Sequence, residues 1–354
     1  MTSLGYKVVV VAVDGLDYNL VIRWKPKHFM LDYIGRHRLE PVLKGEKPYT
    51  PVIWGSFLLG RPAVDLGFSL REIKEARVRE VWGPLAYLLY RVKKALIGDR
   101  RTGLGRVLKR LRIARGVGPE GLNAEGVKGL VRAERLPEGL RRLTFIEKAL
   151  KEGFRVWVRE FPSYNEDEIF RIRMRTPMML GASLRERVEF LEKAHDTASR
   201  IAREALDAIP DYDLVIYYTP VIDLAQHLLY RRGRPKHMLL LRRFYALTEG
   251  VVGELIDMGL DEGALVIVVS DHGFDPRSLD HSLTGYWSSN VDIESLVGRE
   301  VLITDFHCVI LNHLWGGKNQ SQGLPQRGSS GLPLILRGTM LGSFQGLLSS
   351  SGFR

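Results

Sequence analysis

The sequence predicts an α/β protein with a mainly parallel central sheet and helices on both faces. Three observations carry that expectation. Unbroken apolar runs follow Lys7 (VVVVAV), Asp213 (LVIYYT) and Ala264 (LVIVV), with the length and β-branched content of strands buried on both sides. Stretches of helical period stand between and around them, chiefly 184–209 and 235–258. The chain has 354 residues, 45% hydrophobic and 26% charged, which is enough for a sizeable core and excludes a mainly disordered protein.

Taken in order, KVVVVAVDG reads as the first buried strand, ending in the turn Asp14-Gly15. Its apolar run is far too short to cross a bilayer and lacks the flanks of a secretory leader. The single cysteine, Cys308, excludes an internal disulfide framework and suits a reducing compartment, so a cytoplasmic location is expected. KPYTPVIWGSFLLG reads as a helix, with Thr50 as N-cap and Pro51 in the first helical position. FRVWVREF is a further candidate strand, followed by the helix over 184–209 and the strand DLVIYYT. The helix over 235–258 then leads into ALVIVVSD, and no internal repeat is visible.

Charge is unevenly spread. Lys and Arg number 52 against 41 Asp and Glu, a net +11 that points to an anionic partner. Between 71 and 115 there are fourteen basic residues and four acids, so this stretch holds nearly the whole surplus. Leu85, Leu88, Leu89, Val92 and Leu96 form an apolar stripe within it, as in an amphipathic helix. A solvated basic face is the ordinary reading; polyanion or membrane-surface contact through 71–116 is the functional one. No nucleic-acid module is recognisable, and aromatic residues do not interleave with the basic ones as stacking would need. From Gly316 onward there is no Asp or Glu, and four of the five Gln of the chain lie there. The segment 316–354 is therefore expected to be a disordered or atypical tail.

In a sheet of this kind ligands bind beyond the carboxyl ends of the strands. The first strand ends at Asp14, and the strand from Ala264 runs into Asp271-His272-Gly273. After DLVIYYT come Asp223 and His227, four apart and so on one face of a helix, as two ligands of one metal would need. Each is weak alone: Asp-Gly is a common turn, and Asp/His pairs on helices usually face water. Thr50 is on one reading only a cap. On the other, its hydroxyl sits at the positive end of a helix dipole beside free backbone N–H groups suited to phosphate.

The segments VVVVAVDG, YTPVIWGSFLLG, YYTPVIDLAQH, VVSDHGF and DHSLTGYWSSN, in that order, resemble the motifs of the alkaline phosphatase superfamily. The nearest branch is the type I phosphodiesterase/nucleotide pyrophosphatase enzymes and their archaeal phosphohydrolase/phosphomutase relatives. The resemblance covers about 7–69 and 205–314. It implies an alkaline-phosphatase-like fold and two divalent metal ions. Asp14, Asp271 and His272 would hold one, with Thr50 as nucleophile and ligand. Asp223, His227 and a later histidine would hold the other. His281 is the choice for that histidine on its HSLTGYW context, with His307 as competitor. The other histidines considered (His28, His37, His195, His237, His313) match no motif.

The donor set favours zinc and also accepts manganese. The implied reaction is phosphodiester hydrolysis through a covalent phospho-threonine, with a phosphomonoesterase or phosphomutase as alternative. A non-catalytic basic binder of nucleic acid or anionic lipid is the rival from another class. TPVIW lacks the C/S-x-P-x-R setting of sulfatases, and a threonine argues against the serine-dependent phosphoglycerate mutases. GRPAVDLGFS departs from the family by placing Asp65 where a histidine is usual. The expected organisation is a phosphohydrolase core over 1–70 and 151–315, a basic, mainly helical insertion or cap over 71–150, and the tail.

Overall fold

The computed structural model describes residues 6–97, 124–231 and 233–321. Its centre is a six-stranded sheet in the order β2-β8-β5-β1-β4-β3. The strands are β1 (Val8–Val13), β2 (Tyr33–Arg38), β3 (Val156–Val158), β4 (Leu214–Thr219), β5 (Leu265–Val269) and β8 (Thr284–Ser289). A separate two-stranded ribbon pairs β6 (Phe274–Asp275) with β7 (Asp280–His281). β3, β4, β1 and β5 run parallel, while β8 is antiparallel to both β5 and β2. The expected mainly parallel α/β architecture is therefore present.

The three apolar runs are the three central strands, and every residue of β1, β4 and β5 is buried. FRVWVREF yields only three strand residues. β3 is an edge strand pairing with β4 alone, and the chain turns away at Glu160, which has φ 55°.

The described helices, in chain order, begin with α1 (Tyr18–Trp24), α2 (Glu40–Leu43), α3 (Thr50–Leu59) and α4 (Leu70–Ile97). After residue 123 come α5 (Ala124–Glu134), α6 (Glu138–Arg141), α7 (Phe145–Lys151), α8 (Glu168–Met179) and α9 (Leu184–Ala208). The last are α10 (Val221–Leu229), α11 (Pro235–Asp261), α12 (Ile293–Val297) and α13 (Asp305–Ser321). α9 opens with a capping box, the Ser183 hydroxyl accepting from Glu186 N–H and the Glu186 carboxylate accepting from Ser183 N–H.

α3 is buried at every residue, packed on α13 and, through Trp54, against Tyr218 of β4. It ends at Gly60, φ 70°, where an added Cβ would come within 2.6 Å of the His307 ring. Phe145, Ile146 and Ala149 of α7 belong to the same apolar core as the central strands, and Phe145 packs edge-on to Phe57 at 5.3 Å. In the expected insertion, α4 forms as a long helix packed on α5. Leu88 and Val92 from its predicted apolar stripe are 58% and 48% exposed. Residues 98–123 lie outside the described residues, as does the tail from 322; 316–321 are the last residues of α13.

Candidate metal centre

The site is assembled where β1, β4 and β5 end. Asp14 follows β1, and Gly15 makes the approach of the next segment possible. Its φ is 70°, and a Cβ there would lie 2.9 Å from the Asp223 Cα. α10 thereby starts against the end of β1, with Asp223 N–H donating to the Asp14 carbonyl at 3.2 Å. Gly15 N–H donates to Asp271 Oδ1 at 3.3 Å, tying in the segment after β5. The β6–β7 ribbon folds the chain back, pairing His281 with Phe274. His281 is thus laid over His272, ring centroids 3.7 Å apart and planes 16° from parallel.

Two groups of potential ligands result, Asp223 with His227 and His281, and Asp14 with Asp223 and His272. Asp223 belongs to both, so the two are adjacent. In the first, His227 Nε2 stands 3.3 Å from Asp223 Oδ1 and 3.0 Å from His281 Nε2. His281 Nε2 to Asp223 Oδ1 is 3.6 Å. Ligand atoms on a tetrahedral ion at about 2.1 Å stand about 3.4 Å apart, so these spacings fit one cation. In the second, His272 Nε2 is 3.3 Å from Asp14 Oδ1 and 3.3 Å from Asp271 Oδ2. Asp271, expected as a ligand there, therefore faces the same imidazole nitrogen.

Apart from the His227–His281 contact, these contacts lack hydrogen-bond geometry. Asp14 Oδ1, Asp223 Oδ1, Asp271 Oδ2 and His272 Nε2 are all buried without a hydrogen-bond partner. Such atoms cost free energy unless they bind something else, and carboxylates beside an imidazole suit a divalent cation. His272 Nδ1 donates to the Gly273 carbonyl at 3.0 Å, which directs Nε2 into the cluster, as metal-bound histidines require.

The electrostatics agree. Burial, then the neighbouring Asp14, pushes Asp271 well above the carboxylate range. Burial opposes charge on His272, but Asp271 and Asp14 outweigh it and raise the imidazole to about 10. Burial also pulls Asp223 upward, yet His227, and after it His281 and His272, hold it well below its ordinary value. Three buried carboxylates so close together need positive charge among them.

Thr50 is buried at the start of α3, but as its first residue. Tyr49 occupies the N-cap position, and its carbonyl accepts from both Val52 and Ile53. The expectation of Thr50 as N-cap is thus shifted by one residue, because the first turn closes on Tyr49. Free amides for phosphate are fewer than expected: Pro51 has none, and those of Val52 and Ile53 are engaged. His307 is not with the cluster. Its Nδ1 donates to the Leu58 carbonyl and its Nε2 meets Lys148 Nζ at 3.0 Å, so of the two histidines His281 is the one beside Asp223 and His227. Asp65 pairs with Lys44 at the surface.

Several contributors were missed by the sequence reading. Tyr218 on β4 donates its phenol to Asp14 Oδ2 at 2.5 Å. The Gln226 amide donates to the Gly15 carbonyl at 2.9 Å, and the Ser270 hydroxyl donates to the His272 carbonyl at 2.5 Å. His37 Nε2 donates to the Ser270 carbonyl at 2.6 Å. Only Gln226 carried a signal, as the one glutamine in the first 315 residues.

The family model described as "Type I phosphodiesterase / nucleotide pyrophosphatase" matches residues 134–302, a span with Asp223, His227, Asp271, His272 and His281 but not Asp14 or Thr50. No curated protein matches the chain. Among solved structures, one titled "Structure of PH0037 protein from Pyrococcus horikoshii" is similar at 12% identity, covering 88% of this chain and 98% of that one, with a TM-score of 0.39.

Proposed function

We propose, from the premise that this chain belongs to the type I phosphodiesterase/nucleotide pyrophosphatase family of the alkaline phosphatase superfamily, that the cluster beyond β1, β4 and β5 is the active site of a metal-dependent phosphodiesterase. The α/β fold with its mainly parallel sheet is of the alkaline-phosphatase-like kind. Membership in the family supports hydrolysis of small phosphoesters. The observation that carries the finer reading is the set of buried, unpartnered ligand atoms on Asp14, Asp223, Asp271 and His272.

In this reading Asp14, Asp271, His272 and Thr50 would hold one divalent ion and Asp223, His227 and His281 the other, with Asp223 bordering both. Zinc suits the mixed nitrogen and oxygen donors, and manganese is accepted. When bound, the two ions supply Lewis-acid stabilisation to the entering and leaving oxygens of an in-line displacement. Thr50 Oγ attacks phosphorus, its proton passing to solvent as the Oγ–P bond forms, while the bond to the leaving oxygen breaks and that oxygen takes up a proton from solvent to depart as an alcohol. Water then attacks the phospho-threonine from the opposite side and restores the hydroxyl. Tyr218 holds Asp14 by its phenol, and the Gly273 carbonyl holds His272 in its ligating tautomer. With few free amides at the start of α3, the backbone there would contribute little to holding the transferring oxygens.

The test is hydrolysis of a bis-aryl phosphate and of its monoester with zinc or manganese, beside Thr50→Ala. Metal-dependent turnover that falls at least about a thousandfold in Thr50→Ala is expected. Unchanged turnover in the variant would sink the reading. The ratio of diester to monoester rates separates a phosphodiesterase from a phosphomonoesterase, and retention of the phosphoryl group marks a phosphomutase. A cytoplasmic site of action is part of the proposal, as is contact of the basic stretch 71–116 with a polyanion or anionic membrane surface. α4 exposes Arg71, Lys74 and Arg91 together with Leu88 and Val92, which favours that contact.

A further inference from the structure

The residue before the nucleophile is clamped by charged groups that the reaction does not itself use. Tyr49 is an unusual N-cap: aromatic residues are rare there, and its side chain makes no capping bond. Its phenol instead accepts from Arg77 Nη2 at 2.6 Å and donates to Glu134 Oε1 at 2.8 Å. Arg77 and Glu134 also pair directly with each other. The second oxygen of Glu134 meets Arg173 Nη2 at 3.3 Å, and Arg173 forks onto Glu166 with bonds of 2.8 and 2.7 Å. The side chains of Glu134 and Glu166 are 4% and 3% exposed. One chain of hydrogen bonds therefore links α4, α5 and α8 to the residue on which the first turn of α3 closes.

This arrangement is costly as a mere packing device. Buried ion pairs give little net stability against apolar residues of equal volume, because each charge loses its hydration. They do hold a group in one place when its own donors and acceptors are satisfied, and the Tyr49 phenol both accepts and donates here, although Arg77 Nε has no partner. Here the group held is Tyr49, whose carbonyl anchors the amides of Val52 and Ile53 and so sets where Thr50 Oγ lies. A second tie acts on the same turn, the Ser163 hydroxyl donating to the Pro51 carbonyl at 2.6 Å. The far end of the network also reaches the metal cluster. Arg173 lies near enough to Asp14 for their charges to interact.

We propose that Tyr49 is a positioning residue for phosphoryl transfer, its phenol clamped by Arg77 and Glu134 so that Thr50 Oγ is held in line with phosphorus. This rests on Thr50 as the nucleophile. The helices of the basic insertion thus take part in the chemistry by fixing the nucleophile, in addition to any role in admitting substrate.

The experiment compares wild type, Tyr49→Phe, Glu134→Gln, their double variant and Thr50→Ala in steady-state hydrolysis of a bis-aryl phosphate. Orthovanadate, a mimic of five-coordinate phosphorus, and inorganic phosphate are titrated as ligands. Loss of alignment should lower kcat of Tyr49→Phe about 10- to 100-fold and leave KM within about twofold. Vanadate binding should weaken by a similar factor, with phosphate binding, metal content and melting temperature near wild type. The double variant should lose no more than the worse single one, because both break one clamp. Wild-type kcat in Tyr49→Phe, additive losses, or a loss of kcat that comes with lost metal or lowered melting temperature each overturns the positioning role. A Thr50→Ala variant as active as wild type overturns instead the reading of Thr50 as nucleophile, and the clamp's role falls with it.

Discussion

Asp223 stands at the junction of the two candidate ligand groups, with Oδ1 facing His227 and His281 and its carboxylate also close to Asp14 and His272. A residue in that position couples the two sites, so Asp223→Asn tests both at once. The amide keeps the shape but replaces a charged oxygen with a neutral one. Affinity for both ions is expected to fall at least about a hundredfold, more than a lost supporting contact would cost. Metal analysis after dialysis at fixed free zinc checks this, and retention of two ions per chain would exclude the shared role. Asp14, Asp223, Asp271 and His272 were legible in the sequence because each ends a strand or begins the helix after one. Tyr218 was not: within DLVIYYT nothing marks which tyrosine turns toward Asp14 and which toward the helix layer. The structure turns Tyr217 onto the Ala198 carbonyl and Tyr218 onto Asp14.

At the scale of elements, the segment that carries Asp271 and His272 is held from behind by the edge of the sheet. His37 on β2 is fully buried, and the Ser270 carbonyl it bonds can only accept, so its proton is on Nε2. Its Nδ1 has no partner, and burial, assisted by the charge on His272, lowers the imidazole to about 4. In the unfolded chain the same group titrates near 6.5. Between those values the unfolded state binds the proton and the native state does not, so stability rises with pH across that window. The contribution of His37 is complete above about pH 6.5, and about 2 kcal/mol of it is lost by pH 5. His37→Gln keeps an N–H for Ser270 without titrating. Denaturant unfolding of the metal-free protein at pH 7.5 and pH 5 should show a smaller difference for the variant than for wild type. Equal differences would mean that His37 does not carry the effect. A histidine matching no motif thus braces the segment that carries two of the candidate ligands, a role no spacing along the chain could reveal, since Ser270 is 233 residues away.

For the whole molecule, the +11 total separates into a nearly neutral body and a basic stretch. The body gathers buried carboxylates, an arrangement that favours bound positive charge. The stretch presents Arg71, Lys74 and Arg91 to solvent along α4. If that face meets an anionic surface, the chain should sediment with vesicles rich in phosphatidylserine and leave them as salt is raised. Reversing two charges, Lys74→Glu with Arg91→Glu, should weaken binding at least about tenfold, since each cation near such a surface contributes about 1 kcal/mol. Binding that ignores both salt and charge reversal would count against the stretch. No helix among the described residues is long and apolar enough to cross a membrane.

The sequence by itself determined the α/β class, the three central strands, and the places of Asp14, Asp271 and His272 after strand ends and of Asp223 and His227 on the helix after β4, while it put the start of α3 one residue late. It could do so because strand runs, helical periods and short motifs are local patterns, written over a few consecutive residues. Only the tertiary structure decided which of His281 and His307 faces Asp223, since both follow the same strands at short range and differ in how the β6–β7 ribbon and α13 pack. It alone joined Tyr49 to Arg77, Glu134 and Arg173, side chains spread over more than a hundred residues that meet where α4, α5 and α8 close on the start of α3. Hydrogen bonds and buried charges are settled by proximity in space, and proximity is a property of the packed whole.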